Sequence, residues 1–152
     1  MSELLEKILN KDNMNTAYKK VFSNKGAGGV DGVTVEELFD YIRKNWNSIS
    51  DSIRQRTYKP LPVRRVEIPK PNGGVRNLGI PTVMDRVIQQ AIVQIISPMC
   101  EPKFSDFSYG FRPNRSCEMA IRKLLEYLNE GYEWIVDIDL EKFFDNVPQD
   151  KL

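Results

Sequence analysis

Carboxylates, guanidinium groups, lysines and the backbone are the groups with which this chain can do chemistry, because its 152 residues include no histidine. Ser-His and Cys-His catalysis and His-based zinc sites are thereby excluded from the segment. Cys100 and Cys117 lack the short paired spacing of a metal site and read as ordinary thiols of a reducing compartment. Among the acids, the most pointed arrangement is VDIDLEKFFDNV at 136–147, where Asp139 closes an alternating run and Phe144 follows five residues later. A carboxylate on a rigid strand end can hold a magnesium ion against the oxygens of a phosphoryl transfer, so Asp139 is the candidate ligand. On spacing alone, a solvated acidic end that caps the next helix fits equally well.

The cations cluster elsewhere. Between Ile53 and Arg76 seven basic residues, Arg54, Arg56, Lys59, Arg64, Arg65, Lys70 and Arg76, stand against the single acid Glu67. Between Glu133 and Asp150 six acids stand against Lys142 alone. A net charge of only +1 therefore conceals a basic pole and an acidic pole. Arginines on a tight hairpin can grip phosphates in pairs and lysine adds a point charge, which suits a triphosphate or an RNA backbone. A charged edge hairpin that merely resists aggregation is the alternative. Tyr58 among these cations adds an aromatic of the kind that stacks on RNA. A third group, SYGFRPNRS at 108–116, sets Arg112 beside a glycine at a helix entrance, where phosphate or base could approach; plain core anchoring by Tyr109 and Phe111 is its rival. The glycine-rich NKGAGGVDG at 24–32, with Gly28 and Gly29, lacks the preceding strand and the Lys-Ser/Thr ending of a phosphate-binding P-loop.

The elements that must position these groups follow from periodicity and turn chemistry. Residues 2–22 carry apolar positions at helical spacing interrupted at Lys11–Asn13, which predicts two short helices. Thr34 and Glu37 match a capping box opening a helix whose Val35, Leu38, Phe39, Ile42, Trp46 and Ile49 share a face. After Pro60 and Pro62, RRVEI at 64–68 and VRNLGI at 75–80 read as a hairpin, with Asn72-Gly73 supplying the positive φ. Thr82 with Asp85 starts another helix that runs to Pro98, and Ser116 caps a last one packed through Ala120, Ile121, Leu124, Leu125 and Leu128. Glu133 to Leu140 alternates and reads as a strand with one face to a cleft.

With 41% hydrophobic and 10% aromatic residues the chain can bury one core and is short for two ordinary domains. No apolar run approaches the ~20 residues of a membrane span and no signal-peptide core is present, so a soluble cytoplasmic protein is expected. A terminal strand without a neighbour reads as a domain cut short.

Taken in order, GAGGVDGVTVEEL, TYKPLPVRRVEIPKPNGGVRNLGIPTVMDRVIQQAI, FSYGFRPNRSCEMAI and VDIDLEKFFDNV closely resemble the N-terminal extension and first blocks of group II intron reverse transcriptases. The resemblance covers roughly residues 15–150. It implies an α+β fold: mostly helical fingers, a basic β-hairpin and the first palm strand of a right-hand polymerase, truncated. It implies a template- or RNA-gripping extension over 1–60, fingers over 61–132 and the start of the palm over 133–152. Asp139 would be the first catalytic aspartate and metal ligand, and Phe144 the residue that discriminates against a ribose 2′-hydroxyl. Lys70 and Arg76 would bind the incoming triphosphate. Arg54, Arg56, Lys59, Arg64, Arg65, Arg112, Gly28 and Gly29 would serve RNA or template. The intact protein would be an RNA-directed DNA polymerase of a bacterial cytoplasm, using two Mg2+ ions, deoxynucleotide triphosphates, an RNA template with DNA primer and an intron RNA whose splicing it assists, with room for a homodimer. The Tyr-Ala-Asp-Asp block with the remaining catalytic aspartates does not occur in the chain, so the segment alone is expected to be inactive. A reverse transcriptase of retron, diversity-generating or CRISPR-associated type, a non-catalytic RNA-binding maturase, and a generic helical interaction module are the rivals.

Overall fold

The structure, a computed structural model, describes residues 2–71 and 73–140. The elements are α1 (Glu3–Leu9), α2 (Lys11–Ser23), α3 (Leu38–Arg54), β1 (Arg64–Pro69), β2 (Val75–Ile80), α4 (Val83–Cys100), a single 3-10 turn at Glu101–Lys103, and α5 (Cys117–Asn129). They fall into two compact units, Met1–Lys103 and Phe104–Leu152. This is the expected α+β composition, helical with one antiparallel hairpin.

In the first unit, the core forms where α1 and α2 lie on α4. Ala17 of α2 and Val83, Val87 and Ala91 of α4 are fully buried, and Ile8, Met14, Val21, Val35, Leu38 and Met84 join them. Polar ties fix the register of the helices. Asn13 Nδ2 donates to Ile8 O at 2.7 Å and to Ala91 O at 3.0 Å, while Gln94 Nε2 donates to Asn13 Oδ1 at 2.7 Å. A half-buried amide joined to two helices in this way resists sliding, since each broken bond leaves a partly desolvated polar group. The break between α1 and α2 falls at Asn10, whose side chain accepts from the Asp12 N–H; Lys11–Asn13 opens α2 and does not interrupt it.

The capping box at Thr34 and Glu37 is reciprocal: Glu37 Oε2 accepts from the Thr34 N–H at 3.0 Å and Thr34 Oγ1 accepts from the Glu37 N–H at 3.3 Å. It closes a turn just ahead of α3. Of the expected face of α3, Leu38 is fully buried, Ile42, Trp46 and Ile49 are partly so, and Phe39 stays 58% exposed. The hairpin pairs Arg64 with Ile80 through to Pro69 with Val75, within one residue of the predicted strands. Its turn takes positive φ at Gly73 (80°) and Gly74 (89°), with Gly73 N–H donating to Lys70 O and Lys70 N–H donating to Gly74 O. Asn72, expected to share that role, lies outside the described residues.

The second unit differs from expectation in two places. Helix α5 is capped by Ser116 as predicted, its Oγ accepting from the Met119 N–H, but none of its residues is buried and Ile121, Leu124, Leu125 and Leu128 remain exposed. Residues 133–140 are extended in sequence pattern yet pair with no strand among the described residues. A strand exists by virtue of its ladder, and without a neighbour to accept its N–H groups alternation alone does not make one.

The burial pattern yields a stability expectation. Leu38→Ala should cost about 2–5 kcal/mol, as for large-to-small changes at buried sites, whereas Phe39→Ala on the same helix should cost far less. Urea denaturation of both variants measures this; equal losses would show that α3 packs by another face.

Candidate nucleic-acid interface

Strand register sorts the hairpin cations. Alternation places Arg64, Val66 and Ile68 on one face of β1, and their partners Ile80, Leu78 and Arg76 share that face. Arg65 falls on the other face with Glu67, Asn77 and Gly79. Of the hairpin cations, several of which were expected to converge on one polyanion, Arg64 and Arg76 share a face roughly 14 Å apart along the ribbon, and Arg65 does not join them. Lys70 stands at the turn, exposed. Such a face, cationic at both ends and apolar between, can hold a phosphate at one end and stacked or apolar groups beyond it.

The linker that leads into the hairpin is the most constrained part of this region. Asp85 is only 3% exposed, and its carboxylate collects three donors: Tyr58 Oη at 2.6 Å on Oδ1, with Thr82 Oγ1 at 2.6 Å and the Leu61 N–H at 3.3 Å on Oδ2. Thr82 also caps α4 by accepting from the Asp85 N–H. The sequence showed only a helix start here. Tyr58, read as an aromatic for RNA, instead gives its hydroxyl to Asp85. Burial, followed by the hydrogen bond to Asp85, holds its phenol well above the ordinary tyrosine range.

The glycine-rich loop packs on the same turn of α4. A Cβ on Gly29 would lie 2.6 Å from Thr82 Cα and 2.8 Å from Thr82 N, and one on Gly28 would lie 2.7 Å from Val33 O. These glycines permit close approach of backbone to backbone within the chain. Arg86 Nη2 donates to Ala27 O, and a Cβ on Gly26 would collide with the same guanidinium.

The remaining candidates divide. Arg54 forks onto Glu6, Nε to Oε1 at 3.1 Å and Nη2 to Oε2 at 3.2 Å, which holds the Glu6 carboxyl below its usual range. Arg56, in the left-handed region at φ 59°, and Lys59 are exposed. In the second unit, Arg112 Nη1 donates to Ser105 O at 2.6 Å and Ser108 O at 2.9 Å, and its guanidinium lies 5.3 Å from the Phe104 ring centroid, so it shapes its own loop. Phe111 is no core anchor: it is fully exposed, at φ 57°. Asp139 is exposed and accepts from the Leu140 N–H at 2.9 Å. Among the described residues no group of three or more Cys, Asp or Glu side chains is placed to hold a metal ion. Phe144 lies outside them. No described helix is long and apolar enough to cross a membrane.

Residues 68–152 match the family described as reverse transcriptase (RNA-dependent DNA polymerase), which is more than half of the chain. The chain belongs to that family. It is 38% identical to the protein YkfC of Escherichia coli (strain K12) over 97% of its own length and 40% of that protein. It is 37% identical to the group II intron-encoded protein LtrA of Lactococcus lactis subsp. cremoris over 96% of its length and 24% of the relative. A putative COX1/OXI3 intron 1 protein of Saccharomyces cerevisiae is 32% identical over 98% of the chain and 18% of the relative. The chain thus spans two fifths or less of these relatives.

The Tyr58–Asp85 contact has a spectroscopic signature. Tyr58 should ionise late in an alkaline absorbance titration, and Tyr58→Phe should remove that late step. The raised phenol supports the fold fully below about pH 10 and loses that support as the pH climbs through its folded value. An unchanged late step in Tyr58→Phe would place the perturbed phenol elsewhere.

Proposed function

We propose that this chain is the fingers and palm-entry portion of an RNA-directed DNA polymerase encoded by a group II intron, which copies an RNA template by extending a DNA primer with deoxynucleotide triphosphates. The observation that carries the reading is the family match, which starts inside the hairpin and runs on through the Asp139 segment. The hairpin supports it chemically. Lys70 at the turn and Arg76 on the ribbon face are the triphosphate-binding pair; the same face presents Arg64, and the sheet edge keeps all three solvent-accessible. The glycine-rich loop at Gly28 and Gly29, with exposed Arg56 and Lys59, is the RNA-facing side. Arg54, Arg65 and Arg112 serve RNA through the face or loop each occupies. The names of the relatives, intron-encoded proteins among them, support an intron RNA as a further partner whose splicing the intact protein assists. A bacterial cytoplasm is the compartment this implies.

Asp139 offers one exposed carboxylate, which suits one position on a hard cation, and the described residues do not complete the oxygen set that magnesium requires. Two magnesium ions, when bound in the intact enzyme, would neutralise charge on the attacking and leaving oxygens. The chain's own part is to hold the triphosphate by Lys70 and Arg76 and to aim the Asp139 carboxylate. Phe144, five residues on, is the proposed gate against a 2′-hydroxyl.

Two measurements test this reading. Asp139→Asn in the full-length protein should abolish primer extension with RNA affinity nearly unchanged, because the amide keeps the shape and loses the charge; Asp137→Asn should retain substantial synthesis. Normal extension by Asp139→Asn would show that the ligand was assigned to the wrong carboxylate. For RNA binding, removing a cation that neutralises a phosphate should flatten the log–log salt dependence by about 0.7–0.9. Arg64→Ala should do so, and Arg65→Ala on the opposite face should do so less. Equal flattening by Arg65→Ala would contradict the division of the faces.

A further inference from the structure

The hairpin is long, exposed and almost without packing of its own. Apart from the strand-to-strand ladder, no residue of β1 or β2 is buried, and only Val66 and Ile80 are even half-covered. No helix among the described elements packs extensively against it. A two-stranded ribbon in that position has no side to lean on, so its direction is set where its two ends leave the body. One end is continuous: β2 stops at Ile80, and Pro81-Thr82 leads directly into α4. The other end is the linker from α3, and its path depends on hydrogen bonds. Thr57 and Tyr58 donate their N–H groups to Ser52 O at 2.8 and 3.1 Å, closing off α3. The chain then reaches the hairpin through Lys59 to Val63, and its ties to α4 are the Tyr58 hydroxyl and the Leu61 N–H on Asp85.

We infer that Asp85 is a positioning residue for the triphosphate site: by holding Tyr58 and Leu61 on the first turn of α4, it aims the hairpin that carries Lys70 and Arg76. The inference rests on the polymerase reading for the identity of the ligand, and on geometry alone for the clamp. The linker prolines Pro60 and Pro62 bracket Leu61 and stiffen the path between the two ties. Beyond them, Val63 packs on the stem: a Cβ on Gly79 would sit 2.9 Å from a Val63 methyl, so a side chain there would have to displace Val63. Asp85 also faces Thr82 on its own helix, which completes its hydrogen bonding and locks the carboxylate rotamer. Removing the Tyr58 donor leaves the helix cap in place and takes away one of the linker's two ties.

Tyr58→Phe is the discriminating variant, because it deletes one hydroxyl and keeps the ring. In the full-length polymerase, single-nucleotide incorporation should show the deoxynucleotide KM raised roughly three- to tenfold. The maximal rate should stay within about twofold, because the ribbon does not carry the reacting centre. A second measurement does not require activity. Spin labels on Glu67→Cys in β1 and Gln89→Cys in α4, in a chain with Cys100→Ser and Cys117→Ser, report the hairpin-to-body distance. That distance should be single and narrow with Tyr58 and clearly broadened in Tyr58→Phe. If the distance broadens while no nucleotide is incorporated even with Tyr58, the clamp stands and the polymerase reading fails. If the distribution stays narrow in Tyr58→Phe, or the KM does not move while the enzyme works, Asp85 does not aim the hairpin and the inference is overturned.

Discussion

Burial of the first two turns of α4 is the constraint on which the rest of the amino-terminal unit depends. Val83, Met84, Asp85 and Val87 are all buried there, and helices α1 and α2, the glycine-rich loop, the hairpin linker and β2 all meet them or enter them. A carboxylate so enclosed is tolerable only when its oxygens are fully met, and Asp85 meets that demand with two hydroxyls and one backbone N–H. The consequence is mechanical. The two segments proposed to serve nucleic acid, one glycine-rich and one cationic, are referenced to the same helical turn, so their separation is defined by a packed core and not by loop flexibility.

The same residues show how composition divides between structure and function. Of the basic residues between Ile53 and Arg76, Arg54 has its fork occupied by Glu6, while the hairpin cations are exposed and divided between two faces. Gly28 and Gly29 would suit a loop approached by a ligand backbone, and the structure uses their bareness to bring the loop against Val33 and Thr82. Gly29 is buried against Thr82 and so does not itself face a ligand, Gly28 is half-buried, and the hairpin cations stay exposed. The Arg54 fork and the glycine contacts each add a structural reason for the residue type, so substitution there would disturb folding.

How far the sequence revealed this depends on whether the signal was local. The hairpin was legible to within a residue, because alternation and the Asn72-Gly73 turn signal act over a few positions, although positive φ falls at Gly73 and Gly74. The starts of α4 and α5 were legible too, since Thr82 and Ser116 cap by contacts three residues away. The Asp85 clamp was invisible: Tyr58 lies 27 positions from Asp85, and nothing in either neighbourhood announces the other. The extended run at 133–140 failed for the same reason in reverse, as periodicity proposes a strand and only a partner strand makes one. Of the candidate site, Asp139 was legible as a residue type, and its company was not, because metal sites gather ligands that are distant in sequence.

The central claim is that the hairpin turn and the face carrying Arg76 hold the triphosphate of an incoming deoxynucleotide while the body of the fingers fixes their direction. Photocrosslinking tests this most directly, using a deoxynucleotide with a photoreactive group on its γ-phosphate, bound to the full-length protein with RNA template and DNA primer, and mapping adducts by mass spectrometry. Adducts concentrated at Lys70 and its neighbours in the turn, competed away by unlabelled deoxynucleotide, are the expected result. Competable adducts that avoid residues 64–80 altogether would contradict the account.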